Sequence, residues 1–579
     1  MKKIIPEYEF SEGQLNTIST LAKQCGLLED TVKILYGRGI DDKEKILAFV
    51  NPSRSHFISP FKMSGMREAV ELITLARDEG WVVVVYGDYD ADGICASTIM
   101  SRALKDFGID PVVYIPERRN GYGLNKEAVD KIFDEYFPQL FITVDCGISA
   151  AEEVEYIKEQ GAEVIVTDHH ELPDKIPDCI CVNPKFDDGY IYDNLCGAGV
   201  ALKVGVALNG ESAYKYLDFA AIATVADSVP LTGENRDIVH EGLKLINRSP
   251  RSCYKHFIAK SESDATAQTI SFGIAPRINA AGRMGDARSA LDLFTETDEN
   301  AIFDLSAKLT AYNTERQKCC DELYLSAKNK LKTGGVFGRI IMLWDESWNT
   351  GFVGIVAARL AEEYSRPAIL FVRNGDMLKG SARSVDSVNI FEALKACSGY
   401  IAEFGGHAQA AGVNVEVENF SRLESAMNDY LAANYSPSDF EATVYVSGKL
   451  DGAYSARFAR EIEMLEPFGV GNRRPVFELE EGALDIKPVK QFSPHISLKS
   501  GKIELMYFNG AKYSYLIRSR AKKRCIFEYN ISKFRGREYV KGYVRDVICA
   551  DGAGADCAEE IAVNNILTLA CGKTDCKTV

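Results

Sequence analysis

The 579-residue chain contains 15 cysteines yet no Cys-x-x-Cys pair. An odd, irregularly spaced set of thiols is poor material for a disulfide framework or a structural zinc site, and it fits a reduced, cytoplasmic compartment. No apolar run reaches bilayer-spanning length, and the start Met-Lys-Lys-Ile-Ile-Pro-Glu-Tyr-Glu-Phe has no apolar signal region. A secreted or membrane-embedded protein is therefore not expected. Internal repeats and low-complexity tracts are missing, so the chain does not read as a repeat array. Histidine is scarce, with seven residues, and positive charge is in deficit, giving a net charge of −16. That balance argues against a basic, polyanion-binding surface over the whole molecule. It does not exclude a local one, because residues 485–546 carry 15 Lys+Arg against 5 Asp+Glu.

What is present is an ordinary globular composition, 46% hydrophobic and 26% charged, on a chain long enough for several domains. Its most informative stretch runs from Val82 to Gly93. Val82-Val83-Val84-Val85-Tyr86 reads as a buried strand, since β-branched side chains suit a pleated surface covered on both faces. The run stops at Gly87 and delivers Asp88, Asp90 and Asp92 at alternate positions. Ala96, Met100, Ala103, Leu104 and Phe107 then follow at helical spacing. A strand, a loop and a helix thus crowd carboxylates at the carboxyl end of a strand, where open α/β sheets place ligands. Such carboxylates repel one another unless a cation lies between them. A solvated turn rich in Asp and Gly has the same composition, but the rest of the chain argues against it.

From about residue 65 to 210, helical and strand patterns alternate, which implies a parallel sheet with helices on both faces. Two further strands end as the first does. Phe141–Val144 runs into Asp145, and Val164–Thr167 runs into Asp168-His169-His170. Asp90, Asp92, Asp145, Asp168, His169 and His170 are thereby expected in one crevice. Mixed carboxylate and imidazole donors suit Mn2+ or Mg2+ better than structural zinc. Asp227 ends an almost wholly apolar helical stretch, Leu217–Ala226. A carboxylate there needs a partner, either an ordinary cap or salt bridge or the same metal site.

GDYDADG, TVDCG, TDHH and ATVADSVPL, in this order, resemble the four motifs of the DHH phosphoesterase superfamily. PRINAAGRMG, GFVGIVAARL, GSARS and FGGHAQAAG narrow the resemblance to the RecJ family of exonucleases specific for single-stranded DNA. The resemblance implies an α/β protein with an N-terminal helical arm (1–60), a parallel-sheet DHH catalytic domain (61–290) and a connecting helix (291–335). A second α/β domain, DHHA1 (336–440), a β-barrel OB fold (441–550) and a tail (551–579) would follow. It also implies 5′→3′ degradation of single-stranded DNA to mononucleotides, in repair and recombination, with two divalent cations about 4 Å apart. Their ligands would be Asp90, Asp92, Asp145, His169 and Asp227, with Asp92 and Asp145 bridging. His170 would meet the scissile phosphate, while Asp88 and Asp168 would orient loop and ligands.

Candidate strand contacts are Arg118, Arg119 and Tyr122, then Arg277, Asn279 and Arg283, and finally Ser381, Arg383 and His407. The last three are read as lying in Gly-containing loops that hold a phosphate. The C-terminal region interleaves basic residues with Phe492, Tyr507, Phe508, Tyr513, Tyr515, Phe527, Tyr529, Phe534, Tyr539 and Tyr543. Such a mixture suits non-specific single-strand binding, although a small antiparallel barrel needs part of it as core. By resemblance, single-strand binding protein and a RecQ-type helicase are expected partners, and the chain is expected to be monomeric. Asn349 departs from the family, where His usually follows the Trp. The alternatives are another DHH phosphodiesterase, acting on short RNA or cyclic dinucleotides, and a non-catalytic replication-factor relative. The first usually lacks the basic OB-like segment, and the second loses metal ligands that are present here.

Overall fold

The computed structural model describes residues 3–117, 123–186, 189–258, 264–333, 338–450, 456–481, 485–489, 493–500, 503–518, 522–534 and 537–549. The chain opens with strand β1 (Lys3–Pro6) and helices α1 (Glu12–Cys25), α2 (Glu29–Gly37) and α3 (Lys43–Val50). A capping box starts α1, with Ser11 and Gln14 satisfying each other's backbone N–H. The helical arm expected at 1–60 carries a strand as well. β1 pairs in parallel with Thr443–Val446. Ile18, Val32, Leu35 and Phe49 share one buried core with Phe458, Ile462, Phe477 and Phe527. The amino end is thus part of the C-terminal unit, through a long-range pairing that no local pattern announces.

Helices α4 (Met66–Asp78), α5 (Ala91–Phe107), α6 (Lys126–Tyr136) and α7 (Ala151–Glu159) alternate with β2 (Val83–Gly87), β3 (Val112–Tyr114), β4 (Leu140–Val144), β5 (Glu163–Thr167) and β6 (Ile180–Val182). The strands form a sheet of order β3-β2-β4-β5-β6, parallel throughout. β2 and β4 are buried at every position, hence their unbroken apolar runs. Val83, Val85 and Ile142 pack on one side with Ile99 of α5 and with α8 (Gly197–Asn209) and α9 (Leu217–Ala226), through Val200 and Phe219. Val84, Phe141 and Val166 pack on the other side with Ile132 of α6 and Ile157 of α7. Helix α10 (Gly233–Arg248) lies against α9. All the strands end at one edge, which is where the candidate ligands lie.

The connecting helix, expected within 291–335, spans Glu299–Thr333. Ile302 and Leu309 belong to the first core, whereas Cys320, Leu323, Ala327 and Leu331 belong to the next. One helix therefore joins two units by burying a stripe in each. The second unit contains β7 (Ile341–Asp345), the helix Thr350–Tyr364, β8 (Ala368–Asn374), β9 (Met377–Arg383), β10 (Glu403–His407) and β11 (Ala410–Glu416). Its sheet order is β10-β11-β9-β8-β7, with β7 and β8 parallel and the other pairs antiparallel. Ser381 and Arg383 therefore lie on strand β9, and His407 ends strand β10, rather than in loops. The glycine beside them, Gly380, lies opposite Phe371 in the sheet. A Cβ there would stand 2.4 Å from Phe371 Cδ1, so this glycine serves cross-strand packing and not a turn.

The last unit comprises β12 (Thr443–Val446), β13 (Gly448–Lys449), β14 (Val476–Glu481), β15 (Asp485–Pro488), β16 (Ile496–Ser500), β17 (Ile503–Tyr507), β18 (Lys523–Phe534) and β19 (Arg537–Cys549). β13 to β19 form one sheet of order β13-β14-β18-β19-β17-β16-β15. The expectation of an antiparallel barrel fails twice: β13 and β14 are parallel neighbours through Gly448–Phe477, and β17 and β19 through Leu505–Gly542 and Met506–Tyr543. The helix Ser514–Arg518 and β18 lie between them in the chain, and they return β19 in the direction of β17.

Candidate metal centre

Past β2 the chain turns through Asp88 and Asp90 into α5. Asp90 caps that helix, accepting the N–H of Asp92 at 2.9 Å and of Gly93 at 3.1 Å. Asp92, in the first turn, accepts N–H groups of Gly197 and Ala198 at the start of α8, each at 2.7 Å. Two helix N-termini thus point at the carboxylates, and this is favourable for negative charge. Gly197 is needed there, because a Cβ would stand 2.5 Å from Cβ of Asp145. Asp145 follows β4 with φ +61°, a left-handed conformation that Asp tolerates better than most residues.

His169 Nε2 lies 3.1 Å from Asp145 Oδ1, 3.7 Å from Asp92 Oδ2 and 3.8 Å from Asp227 Oδ2. Three overlapping trios have ligand atoms within 4.8 Å of one another: Asp92, His169 and Asp227; Asp88, Asp90 and Asp145; and Asp145, His169 and His170. The four strand-end or helix-end motifs therefore converge. Asp88, expected only to orient the loop, stands inside the cluster. Asp168 faces away from it, accepting N–H groups of Ile148, His169 and His170, and pairing with His170 Nδ1 at 2.7 Å.

The electrostatics of the cluster call for a cation. Burial, and then the charges of Asp92, Asp90, Asp88 and Asp227, push the Asp145 carboxyl far above its usual range. Burial with Asp92 and Asp90 pushes Asp227 up to about 8. Burial also holds His169 below its usual value, so its imidazole is neutral and ready to ligate. His170 is opposite in behaviour. Burial pulls its pKa down, but the hydrogen bond and charge of Asp168 raise it to about 9. Carboxylate oxygens with one neutral imidazole fit Mn2+ or Mg2+.

The strand-contact candidates scatter more. Arg118, Arg119 and Tyr122 lie outside the described residues. Asn279 turns its carbonyl to the N–H of Ala91 at 2.9 Å and so holds the start of α5. Arg283 donates to the Gly351 carbonyl at 2.7 Å, linking the first unit to the second. Arg277 turns to the Gly273 carbonyl and to Thr310, with Phe257 beneath its guanidinium. Arg383 donates to Ser381 Oγ at 2.9 Å and to the Ala382 carbonyl at 2.7 Å. His407 pairs with Ala410 of β11, which pairs with Arg383 of β9, so His407 and Arg383 lie in one row across the sheet. Asn349 caps the helix Thr350–Tyr364 by accepting the Gly351 N–H at 2.7 Å.

Part of the C-terminal basic excess is internal. Arg524 forks onto buried Glu478 at 2.5 and 2.6 Å, Arg545 pairs with Glu528, and Lys523 is fully buried. Tyr507, Phe527 and Tyr529 are core, whereas Phe508 and Tyr539 are exposed and Phe508 stacks on Tyr543 at 5.8 Å. Phe492, and the side chains of Tyr515 and Phe534, fall outside the described residues.

A parallel sheet with an aspartate and histidine cluster at its carboxyl edge, followed by a second, mixed sheet, defines a DHH-type phosphoesterase core. Residues 82–224 match the model of the DHH family, N-terminal domain, residues 335–433 the DHHA1 domain, and residues 451–546 the RecJ OB domain. A single-stranded-DNA-specific exonuclease RecJ of Bacillus subtilis is 32% identical over 560 residues, covering 94% of this chain and 71% of that protein. RecJ of Thermus thermophilus in complex with Mn2+ superposes with a TM-score of 0.80 at 27% identity, covering 95% of this chain and 80% of that one. The same protein in complex with Mg2+ gives 0.73 at 25% identity, covering 95% and 78%. The chain belongs to the RecJ family.

Proposed function

We propose that this chain is a metal-dependent exonuclease that hydrolyses single-stranded DNA from the 5′ end to mononucleotides, in DNA repair and recombination. The observation that carries the reading is the convergence of five aspartates and a neutral histidine at one sheet edge of a RecJ-family chain. Asp88, Asp90 and Asp145 would hold one divalent cation, and Asp92, Asp145, His169 and Asp227 a second, Mn2+ or Mg2+ as in the Thermus relative. When bound, the ions supply a water of lowered pKa and neutralise charge on the scissile phosphate. Hydrolysis adds water to phosphorus and breaks the P–O3′ bond, leaving a 3′-hydroxyl on the released nucleotide and a 5′-phosphate on the strand. Asp168 orients His170 and keeps it protonated at neutral pH, so His170 offers a positive N–H donor to a non-bridging oxygen. The site is proposed to work in the cytoplasm, in a monomer, alongside single-strand binding protein and a RecQ-type helicase.

Ser381 and Arg383, with His407 near, are proposed to stop the strand by its 5′-phosphate. Arg offers a fork for phosphate, and the Ser381 hydroxyl already lies against it. The test compares kcat/KM of the native chain and Arg383→Ala on 5′-phosphorylated and 5′-hydroxyl single strands. A loss of about 1.5–3 kcal/mol is expected on the phosphorylated strand, the worth of a charge-assisted bond, with a much smaller loss on the other. Equal losses would remove Arg383 from end recognition.

A further inference from the structure

Cys179 directly precedes β6 and Cys181 lies within it, and their sulfurs stand 3.7 Å apart. Alternate residues of an extended chain face the same way, and both thiols pack against the core of Ile157, Val164 and Val166, on the side of the sheet that α7 covers. Each is only partly buried, within reach of small reagents. Cys181 Sγ also lies 3.8 Å from the Pro177 carbonyl, and Lys158 of α7 donates to the Asp178 carbonyl at 2.6 Å. The hydrogen bond from Cys179 holds the Cys181 thiol below its usual value, and the same bond pushes Cys179 up. Cys181 is thus the readier nucleophile of the two.

β6 ends the sheet order, and its ladder runs to β5 through Ile165–Ile180, Val166–Cys181 and Thr167–Val182. The far end of β6 holds the loop of the histidine pair. The Val182 carbonyl accepts the N–H of Asp168 at 3.1 Å. Asn183, wholly buried, donates from Nδ2 to the His170 carbonyl at 3.0 Å. At the start of α4 the backbone of Cys181 has no slack, since a Cβ on Gly65 would stand 2.3 Å from its carbonyl oxygen. Bonded sulfurs lie about 2.05 Å apart, so joining these two shortens the span from Cys179 to Cys181. The strand cannot take up that change toward α4 and passes it along to Val182 and Asn183.

We propose that Cys179 and Cys181 are a modification site that closes to a reversible disulfide by exchange with a small-molecule disulfide, and that closure slows hydrolysis through the hold of β6 on Asp168 and His170. With glutathione disulfide as the oxidant, the Cys181 thiolate attacks one of its sulfurs, forming a mixed disulfide and releasing one glutathione thiolate. Capping Cys181 removes the hydrogen bond that raised Cys179, which then loses its proton and attacks Cys181 Sγ, releasing the second glutathione. Two protein thiols are oxidised, and one glutathione disulfide is reduced to two thiols. A disulfide open to solvent is of the labile, regulatory kind, and a transient one is compatible with an otherwise reducing compartment. Formation of the bond is independent of the nuclease reading, whereas its effect on hydrolysis rests on that reading.

In the experiment the full, reduced chain is incubated with glutathione disulfide and its remaining thiols are alkylated. The tryptic peptide 176–185, which contains these two cysteines and no other, is then measured by mass spectrometry. The native chain is expected to yield that peptide unalkylated and lighter by two hydrogens than its dithiol, a change that reducing agent reverses. Cys179→Ser should stop at the mixed disulfide, so that its peptide carries one glutathione on Cys181. Hydrolysis of single-stranded DNA in Mn2+ should fall by about tenfold in the oxidised native chain and return on reduction. The double variant, Cys179→Ser with Cys181→Ser, should start at native activity and lose little. Thermal melts establish that each variant is folded, and the corresponding alanine variants serve if the serine ones are not. A native peptide that stays a dithiol, alkylated twice, would overturn the site. A disulfide formed with activity unchanged, or an equal loss in the double variant, would overturn the coupling through β6. A reduced chain that cuts no DNA would sink the nuclease reading instead, and the peptide masses would still decide the disulfide.

Discussion

Replacing Asp145 by alanine removes the carboxylate that two of the three ligand trios share. Hydrolysis should fall by about a hundredfold or more, and retention of more than about a tenth of native activity in excess Mn2+ would contradict the two-cation assignment. The same residue makes a statement about stability. In chelator the aspartates repel one another, and Asp227, with its pKa pushed up to about 8, binds its proton more tightly in the folded chain than in the unfolded one. Such a group contributes stability that is present at low pH and is lost as pH rises through about 8. His170, raised to about 9, acts in the same direction. The melting temperature in chelator should therefore decline between about pH 6 and pH 9, and Mn2+ should reverse the decline. Asp145→Ala should be no less stable than the native chain without metal and should show a shallower decline. A melting temperature that rises with pH in chelator would show that the cluster is not strained by its own charge.

At the scale of elements, exposure separates aromatics that hold the C-terminal sheet together from those that could stack on bases. Phe508 is exposed, on a loop after β17, and lies flat on Tyr543 of β19. Phe508→Ala should weaken binding of long single strands by about 1–3 kcal/mol, the usual worth of one stacked base, while leaving the melting temperature nearly unchanged. Equal binding by the variant in fluorescence anisotropy would assign Phe508 to the surface alone. The strands β2, β4 and β5 and the helices between them were legible in the sequence, because buried parallel strands are unbroken apolar runs and each run ended in a metal-ligand residue. β9 was not, since its glycine is required by Phe371 across the sheet and looks locally like a turn. The charge of residues 485–546 was legible as a sum but not in its distribution, because Glu478 and Glu480, which neutralise Arg524 and Lys522, stand on β14 outside the counted stretch.

Across the whole molecule, the catalytic sheet is tied to both flanking units. The connecting helix buries one stripe in each of two cores. On the other side, Arg236 at the start of α10 is buried and donates to the carbonyls of Phe49, Met464 and Leu465 at 3.0, 2.9 and 2.8 Å. Its neighbour Glu234 holds Lys203, Tyr190 and the Ile58 N–H. One helix start thus fixes the amino-terminal helices and the C-terminal sheet against the metal-bearing domain, and strand contacts on that sheet keep a set relation to the cluster. The most direct measurement of the central claim uses this intact chain, a single-stranded DNA labelled at the 5′ or the 3′ end, and Mn2+ or chelator. Release of the 5′ label as a mononucleotide from the first time points is expected, with the 3′ label retained on strands that shorten gradually, and no cleavage in chelator. Early internal fragments, first release of the 3′ label, or undiminished cleavage in chelator would contradict it.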